Sequence, residues 1–214
     1  MSDPRADALR RGYAAPVARA YREHLLDELS GKPLDRALLD AFVEQCGGGH
    51  IADIGCGPGH VATYLAGRGA TVEGVDLSPA MIAEATACHP GLAFRVGDMF
   101  ALPYAPGELA GIVAFYAIVH LRSDELIAPF REFHRVLAPG GLALISFHVG
   151  TDLIHLDELF GAATSLDFVQ HQPQPVIAAL HAAGFVIAAR LDREPYPDAE
   201  YPSQRCYLLA RRAQ

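Results

Sequence analysis

From His50 onward the chain alternates short β-rich runs with helical windows, and this alternation constrains its fold more than any other feature. The runs are HIADI, ATVEGVD, LAFRVG, LAGIVAFY, GLALISFHV, FVIAARL and RCYLLAR, most of them separated by a helical stretch or a Pro/Gly turn. Strands this short and this apolar are buried on both faces, which predicts an α/β layered sheet with parallel strands inside and helices packed outside. The last two runs are joined only by the loop DREPYPDAEYPSQ, so an antiparallel hairpin is expected there. Ahead of the sheet, VARAYREHLLDEL and LDRALLDAFVEQCGGG repeat apolar residues every three or four positions and read as two helices separated by SGKP.

Composition limits the partners of such a sheet. With 214 residues, 51% hydrophobic and 20% charged, the chain is long enough for one well-buried domain and short for two. Its formal net charge of -8, with Lys and Arg scattered or in short pairs, gives a polyanion no basic stripe, so nucleic acid is excluded as an expected substrate. Cys46, Cys56, Cys88 and Cys206 stand far apart without a CxxC pair, and MSDPRADALRRGY lacks the apolar core of a signal peptide. No apolar run reaches the roughly 18 residues that span a bilayer. A cytoplasmic protein with no membrane partner, monomer or homodimer, is the expectation.

In an open α/β sheet, ligands bind at the carboxyl ends of the strands, and the first strand here ends in the turn IADIGCGPGH. Gly55, Gly57 and Gly59 let the backbone take positive φ and let a ligand approach without Cβ obstruction, while the helix VATYLAGRG that follows offers free N–H groups. Asp76 ends the second run, where a carboxylate accepts hydrogen bonds from the two hydroxyls of a ribose. Capping of the helix PAMIAEATACH falls better to Ser78, which precedes Pro79. Asp98 follows the third run, where it can accept from an adenine amino group while Met99 packs on the ring.

The segments IADIGCGPGH, GVDLSPAMI, GDMFALPY, AGIVAFYAIVHL and FHRVLAPGGLALISF, taken in order, resemble the class I S-adenosylmethionine-dependent methyltransferases of small-molecule type. The likeness runs from Ile51 to His148. It implies a Rossmann-like sheet of order 3-2-1-4-5-7-6 with the last strand antiparallel and helices on both faces, and S-adenosylmethionine as the cofactor. It also implies that Gly55, Gly57 and Gly59 line the methionine part, Asp76 and Leu77 the ribose, and Asp98 and Met99 the adenine. Phe115 and Tyr116, ending the fourth run, close the cofactor floor, where aromatic rings attract a sulfonium. Asp53 is the expected acceptor for the cofactor ammonium, directly or through water, unless it tethers the loop instead. Dinucleotide enzymes favour G-x-G-x-x-G, whereas the third glycine here comes one residue early, in a turn suited to a ligand without phosphate.

Methyl transfer from a sulfonium needs alignment and dehydration more than acid chemistry, and a base only for a protonated acceptor. His120, just past the fourth strand, is the candidate base, with an ordinary pKa of about 6.5. Beyond the fifth strand, His148, Asp152, His155, Asp157 and Glu158 cluster in SFHVGTDLIHLDELF. Their spacing matches no compact ligand pattern, so no metal is expected; LIHLDELF reads as an amphipathic lid helix, with His148 or His155 turned to substrate. Tyr13 and Tyr21 are candidate polar contacts from the N-terminal helices.

The expected organisation is one domain over residues 1–214: a helical cap at 1–48, a cofactor-binding core at 49–149, a substrate lid at 150–172, and a helix and hairpin at 173–214. The expected activity is methyl transfer to a small molecule, at oxygen first, otherwise nitrogen or carbon. The alternatives are a cofactor-binding sensor or scaffold without transferase activity, and a nicotinamide-dependent oxidoreductase. The last calls for G-x-G-x-x-G and a Tyr-x-x-x-Lys pair, and the chain has a single lysine, Lys32.

Overall fold

The computed structural model describes residues 3–197 and 200–213. Seven strands form the main sheet: β1 (Ile51–Ile54), β2 (Val72–Asp76), β3 (Ala93–Val96), β4 (Leu109–Phe115), β5 (Leu137–His148), β8 (Phe185–Arg193) and β9 (Arg205–Arg212). Their order is β3-β2-β1-β4-β5-β9-β8, with β1 to β5 parallel and β9 antiparallel to both neighbours. Counted within the sheet alone, this is the expected 3-2-1-4-5-7-6 with the last strand reversed. The two remaining strands, β6 (Leu153–Leu159) and β7 (Ala162–Val169), form a separate hairpin.

The central strands are buried on both faces because nearly all of their positions are apolar. On β4, Ile112 and Ala114 point into one core with Phe130, Phe133 and Leu180, while Val113 points into the other with Phe42, Val61 and Leu65. The first core is covered by α6 (Ile127–Val136) and α7 (Pro173–Ala182), the second by α3 (Pro33–Gln45) and α4 (His60–Gly67). Helix α5 (Pro79–Cys88) begins at Ser78, whose hydroxyl accepts from Met81 N–H as expected of an N-cap.

Two short helices, α1 (Pro4–Gly12) and α2 (Ala15–Leu25), lie over the carboxyl end of the sheet. They are tied down at both sides: Ser78 Oγ donates to the Tyr13 carbonyl at 2.9 Å, and Thr164 Oγ1 on β7 donates to the Gly12 carbonyl at 2.7 Å. Gly12 has no room for a Cβ, which would fall 2.3 Å from a Leu166 methyl.

The segment expected as a lid helix is the β6–β7 hairpin instead. Its two-residue loop, Phe160–Gly161, has positive φ at both positions (52° and 79°), the geometry that matches the twist of a tight hairpin. Among the described residues no helix is long and apolar enough to cross a membrane.

Candidate functional site

The cofactor-side cavity, about 120 Å³, opens where β1, β2 and β4 end, beneath α1 and α2. Gly55 and Gly57 form its turn with φ of 73° and 51°, and a Cβ on Gly55 would fall 2.6 Å from that of Ala117. Gly55 has no room for a side chain and both positions take the left-handed backbone that favours glycine, so the backbone itself is the wall.

Asp76 stands at the tip of β2 on the same wall. One carboxylate oxygen accepts from Gly57 N–H at 2.9 Å and the other from Ser78 N–H at 2.8 Å. Each keeps a lone pair for a further donor, which is what a vicinal diol requires. Leu77, Met81 and Met99 give the neighbouring slot apolar sides. Asp98 lines it too, one oxygen held by Phe100 N–H at 3.0 Å and the other 3.5 Å from the Arg5 guanidinium. Phe115, Tyr116 and Ala117 close the floor. Tyr116 is one of two non-glycine residues with positive φ (53°) among those described, and its backbone N–H is held by Ser146. Strain of this kind persists only where the surroundings over-determine it, and here it turns the Tyr116 ring into the cavity wall.

Two of the expected cofactor contacts stand elsewhere. Gly59 lies behind the turn, with φ 84°, packed against Phe94 and capping α4 rather than lining the cavity. Asp53 is buried and accepts from Ala62 N–H at 3.0 Å, so it tethers the start of α4; burial pushes its carboxyl up to about 7. This carboxyl takes an N-terminal N–H of α4 that an anionic ligand would otherwise use. A further carboxylate on the cavity wall is Glu28, bonded to His60 Nε2 at 2.8 Å and Lys32 Nζ at 2.5 Å. Against the upward push of burial, these two partners hold Glu28 down at about 2.

A second, larger cavity of about 360 Å³ adjoins the first, and the two share Tyr13, Tyr21, Glu28 and Tyr116. The hairpin supplies its apolar side through Ile154, Leu156, Leu159, Phe160 and Phe168. Its polar end holds Lys32, His148, Glu200 and Arg205.

His120 sits beside the shared wall. Its Nδ1–H donates to the Asp167 carbonyl at 2.7 Å, which fixes the tautomer and leaves Nε2 to accept from the Tyr13 hydroxyl, also at 2.7 Å. Burial lowers His120 to about 4 instead of the ordinary 6.5, so it is neutral near pH 7. Tyr13 is raised well above its usual value by burial and by nearby Tyr21 and Asp76. His148, likewise pushed down to about 4 by burial and by Arg205 and Lys32, packs against the Tyr116 ring. His155 lines neither cavity: on β6 Ile154 and Leu156 point inward, so His155 points out, where it pairs with Asp157 and Asp167. Among the described residues no group of three or more His, Cys, Asp or Glu is placed to hold a metal.

Sequence reasoning missed Glu28, Lys32, His60, Arg5 and Arg205. Lys32 carried a signal, as the chain's one lysine; the others are common residue types in segments whose apolar periodicity says only helix or strand.

Comparison with known proteins agrees with this fold. Residues 51–141 match the family described as Methyltransferase domain. The chain is 30% identical over 161 residues to a malonyl-[acyl-carrier protein] O-methyltransferase from Erwinia billingiae, covering 75% of this chain and 59% of that protein. It is 38% identical over 77 residues to a demethylmenaquinone methyltransferase from Chlorobaculum parvum, covering 36% and 31%. The matched stretches thus span less than two thirds of each of these relatives. Magnesium protoporphyrin IX methyltransferase from Synechocystis PCC 6803 superposes with a TM-score of 0.75 at 18% identity, over 100% of this chain and 99% of that one. The chain therefore has the class I S-adenosylmethionine-dependent methyltransferase fold, with S-adenosylmethionine as its cofactor and residues 51–141 similar to the methyltransferase domain family.

Proposed function

We propose that the chain transfers the methyl group of S-adenosylmethionine to an oxygen of a small-molecule acceptor. The observation that carries this reading is the wall of Tyr13, Tyr21, Glu28 and Tyr116 shared by the two cavities, which puts cofactor and acceptor compartments side by side. The bound cofactor supplies an electrophilic methyl on a positively charged sulfur.

The protein's own part is alignment and exclusion of water. Gly55 and Gly57 seat the methionine part, Asp76 takes the ribose, Asp98 and Met99 the adenine, and Glu28 accepts from the ammonium. Helices α1 and α2 cover the cavity, and the hairpin closes the acceptor side. Tyr207 O–H donates to Asp35 at 2.6 Å, so the Tyr116 O–H donates to Tyr207, and the Tyr116 lone pairs and ring face turn toward the sulfonium. Tyr13 orients the acceptor oxygen while His120 orients Tyr13. A proton leaving a hydroxyl acceptor passes to Tyr13 as Tyr13 passes its own to His120 Nε2.

The O-methyltransferase named among the relatives supports oxygen as the accepting atom. The test is incubation of the protein and S-adenosylmethionine with a panel of phenols, alcohols and carboxylic acids, reading S-adenosylhomocysteine release. Release with an oxygen acceptor supports the reading. Binding of the cofactor with silence across oxygen, nitrogen and carbon acceptors favours a sensor.

A further inference from the structure

The polar end of the acceptor cavity is balanced in charge and unbalanced in hydrogen bonds. Arg193, Lys32 and Arg205 face Asp35, Glu28 and Glu200, three cations against three anions, all largely withdrawn from solvent. Glu200, the anion at this end of the cavity, is fully used. Glu200 takes both Arg193 Nη groups at 2.6 and 2.9 Å, Tyr196 N–H at 2.8 Å and Lys32 Nζ at 3.2 Å. Asp35 takes Arg193 and the Tyr207 hydroxyl, and Glu28 takes His60 and Lys32.

The cations are not used up. Arg205 is 2% exposed and lines the acceptor cavity, yet only its Nη1 is spent, on the Tyr201 and Ser203 carbonyls. Its Nε is buried without a hydrogen-bond partner among the described residues, 3.4 Å from Glu200, and its Nη2 makes no bond to them. Lys32 has three N–H groups and two carboxylate partners, leaving one donor. His148 is held through Nδ1 by Ser203 Oγ at 2.8 Å, which leaves Nε2 to the cavity.

Buried N–H groups left unpaired beside a cavity cost free energy unless an occupant accepts from them. We infer that the acceptor is an amphipathic carboxylic acid, its carboxylate taken by Arg205, Lys32 and His148 and its apolar body lying along the hairpin residues Ile154, Leu156, Leu159, Phe160 and Phe168. A guanidinium with free N–H groups beside a point-charge ammonium is the donor set that suits a planar anion. A neutral amide of the same shape brings one acceptor oxygen in place of two and adds donors where donors are already in excess. An amine meets Glu200, whose acceptor sites are filled, and Glu28, which the cofactor ammonium takes. This inference rests on the proposed function for the identity of the neighbouring compartment.

Calorimetry on the full chain saturated with S-adenosylhomocysteine tests it, with octanoate and cinnamate compared against octanamide and cinnamamide. The carboxylates are expected to bind at least about tenfold more tightly than their amides, a charged hydrogen-bond pair being lost with each amide. In Arg205→Gln that preference should shrink by about tenfold, with S-adenosylhomocysteine affinity unchanged as the sign of an intact fold. Because Arg205 is buried, the acid-against-amide comparison on the unaltered protein stands by itself if the variant does not fold. Equal affinities, or no carboxylate binding to the saturated protein, overturn the inference. Failure of S-adenosylhomocysteine itself to bind overturns the proposed function instead.

Discussion

Asp76 holds two backbone N–H groups and still presents a lone pair on each oxygen, so its replacement removes both a tether and a ligand contact. Asp76→Asn should weaken S-adenosylhomocysteine binding by about 1–3 kcal/mol in calorimetry, and an unchanged affinity would show that the ribose lies elsewhere. Tyr13 and His120 form a short polar chain that runs from the shared wall to a backbone anchor. Tyr13→Phe should lower kcat by about 100-fold for a hydroxyl acceptor while leaving cofactor affinity within about twofold. A small loss in kcat would reduce the tyrosine to packing. Since burial holds His120 at about 4, the rate between pH 5 and 8 should have no ascending limb at the ordinary histidine value near 6.5. A limb at that position, abolished by His120→Gln, would contradict the burial argument.

Among the elements, the join of β1 to α4 rests on Asp53, a carboxyl raised to about 7 by burial. A carboxyl with a raised folded-state pKa binds its proton more tightly folded than unfolded. Its contribution is therefore full below about pH 4 and is lost as pH rises to about 7. Asp53→Asn removes that dependence and keeps an acceptor for Ala62 N–H. Relative to wild type, the variant should gain about 1–4 kcal/mol as pH goes from 4 to 7 in denaturant unfolding, and parallel profiles would sink the assignment. The hairpin gives a second case: Phe160 adopts φ 52° where Asn or Gly is usual, stacks on His24 at 4.4 Å and covers the acceptor cavity. Phe160→Asn should raise stability by up to about 1 kcal/mol while increasing the acceptor KM. A KM that does not move would leave the ring without a part in binding. This hairpin is also where sequence reading went astray. A register shift between Leu156 and Glu158 turns Leu159 inward three positions after Leu156, a spacing that mimics a helix. The sheet strands carry no such interruption next to the site, and all seven were legible as apolar runs. Helix α1 was missed although Asp3 before Pro4 is a start signal, because Leu9 is the one large apolar residue in PRADALRRG and shows no helical period.

At the scale of the whole molecule, the site lies between a rigid sheet and two covers that reach it from distant parts of the sequence. The sheet side was readable because glycines and acidic residues at strand ends have few other reasons to stand there. On the covers, Tyr13 and Tyr21 were named from the sequence, whereas Arg5, Glu28, Lys32 and Arg205 acquire meaning only when helix, hairpin and last strand converge. Cofactor must pass beneath α1 and α2, so hydrogen exchange in those helices and in the β6–β7 hairpin should slow when S-adenosylhomocysteine binds, with β4 and β5 unchanged. Protection confined to the glycine turn would mean that the covers do not close over the ligand. The central claim is that the turn between β1 and α4 admits a sulfonium and refuses a pyrophosphate. Titration calorimetry of the full chain with S-adenosylmethionine and separately with NADH tests it most directly: the account predicts saturable heat with the first and none with the second, and the reverse result would contradict it.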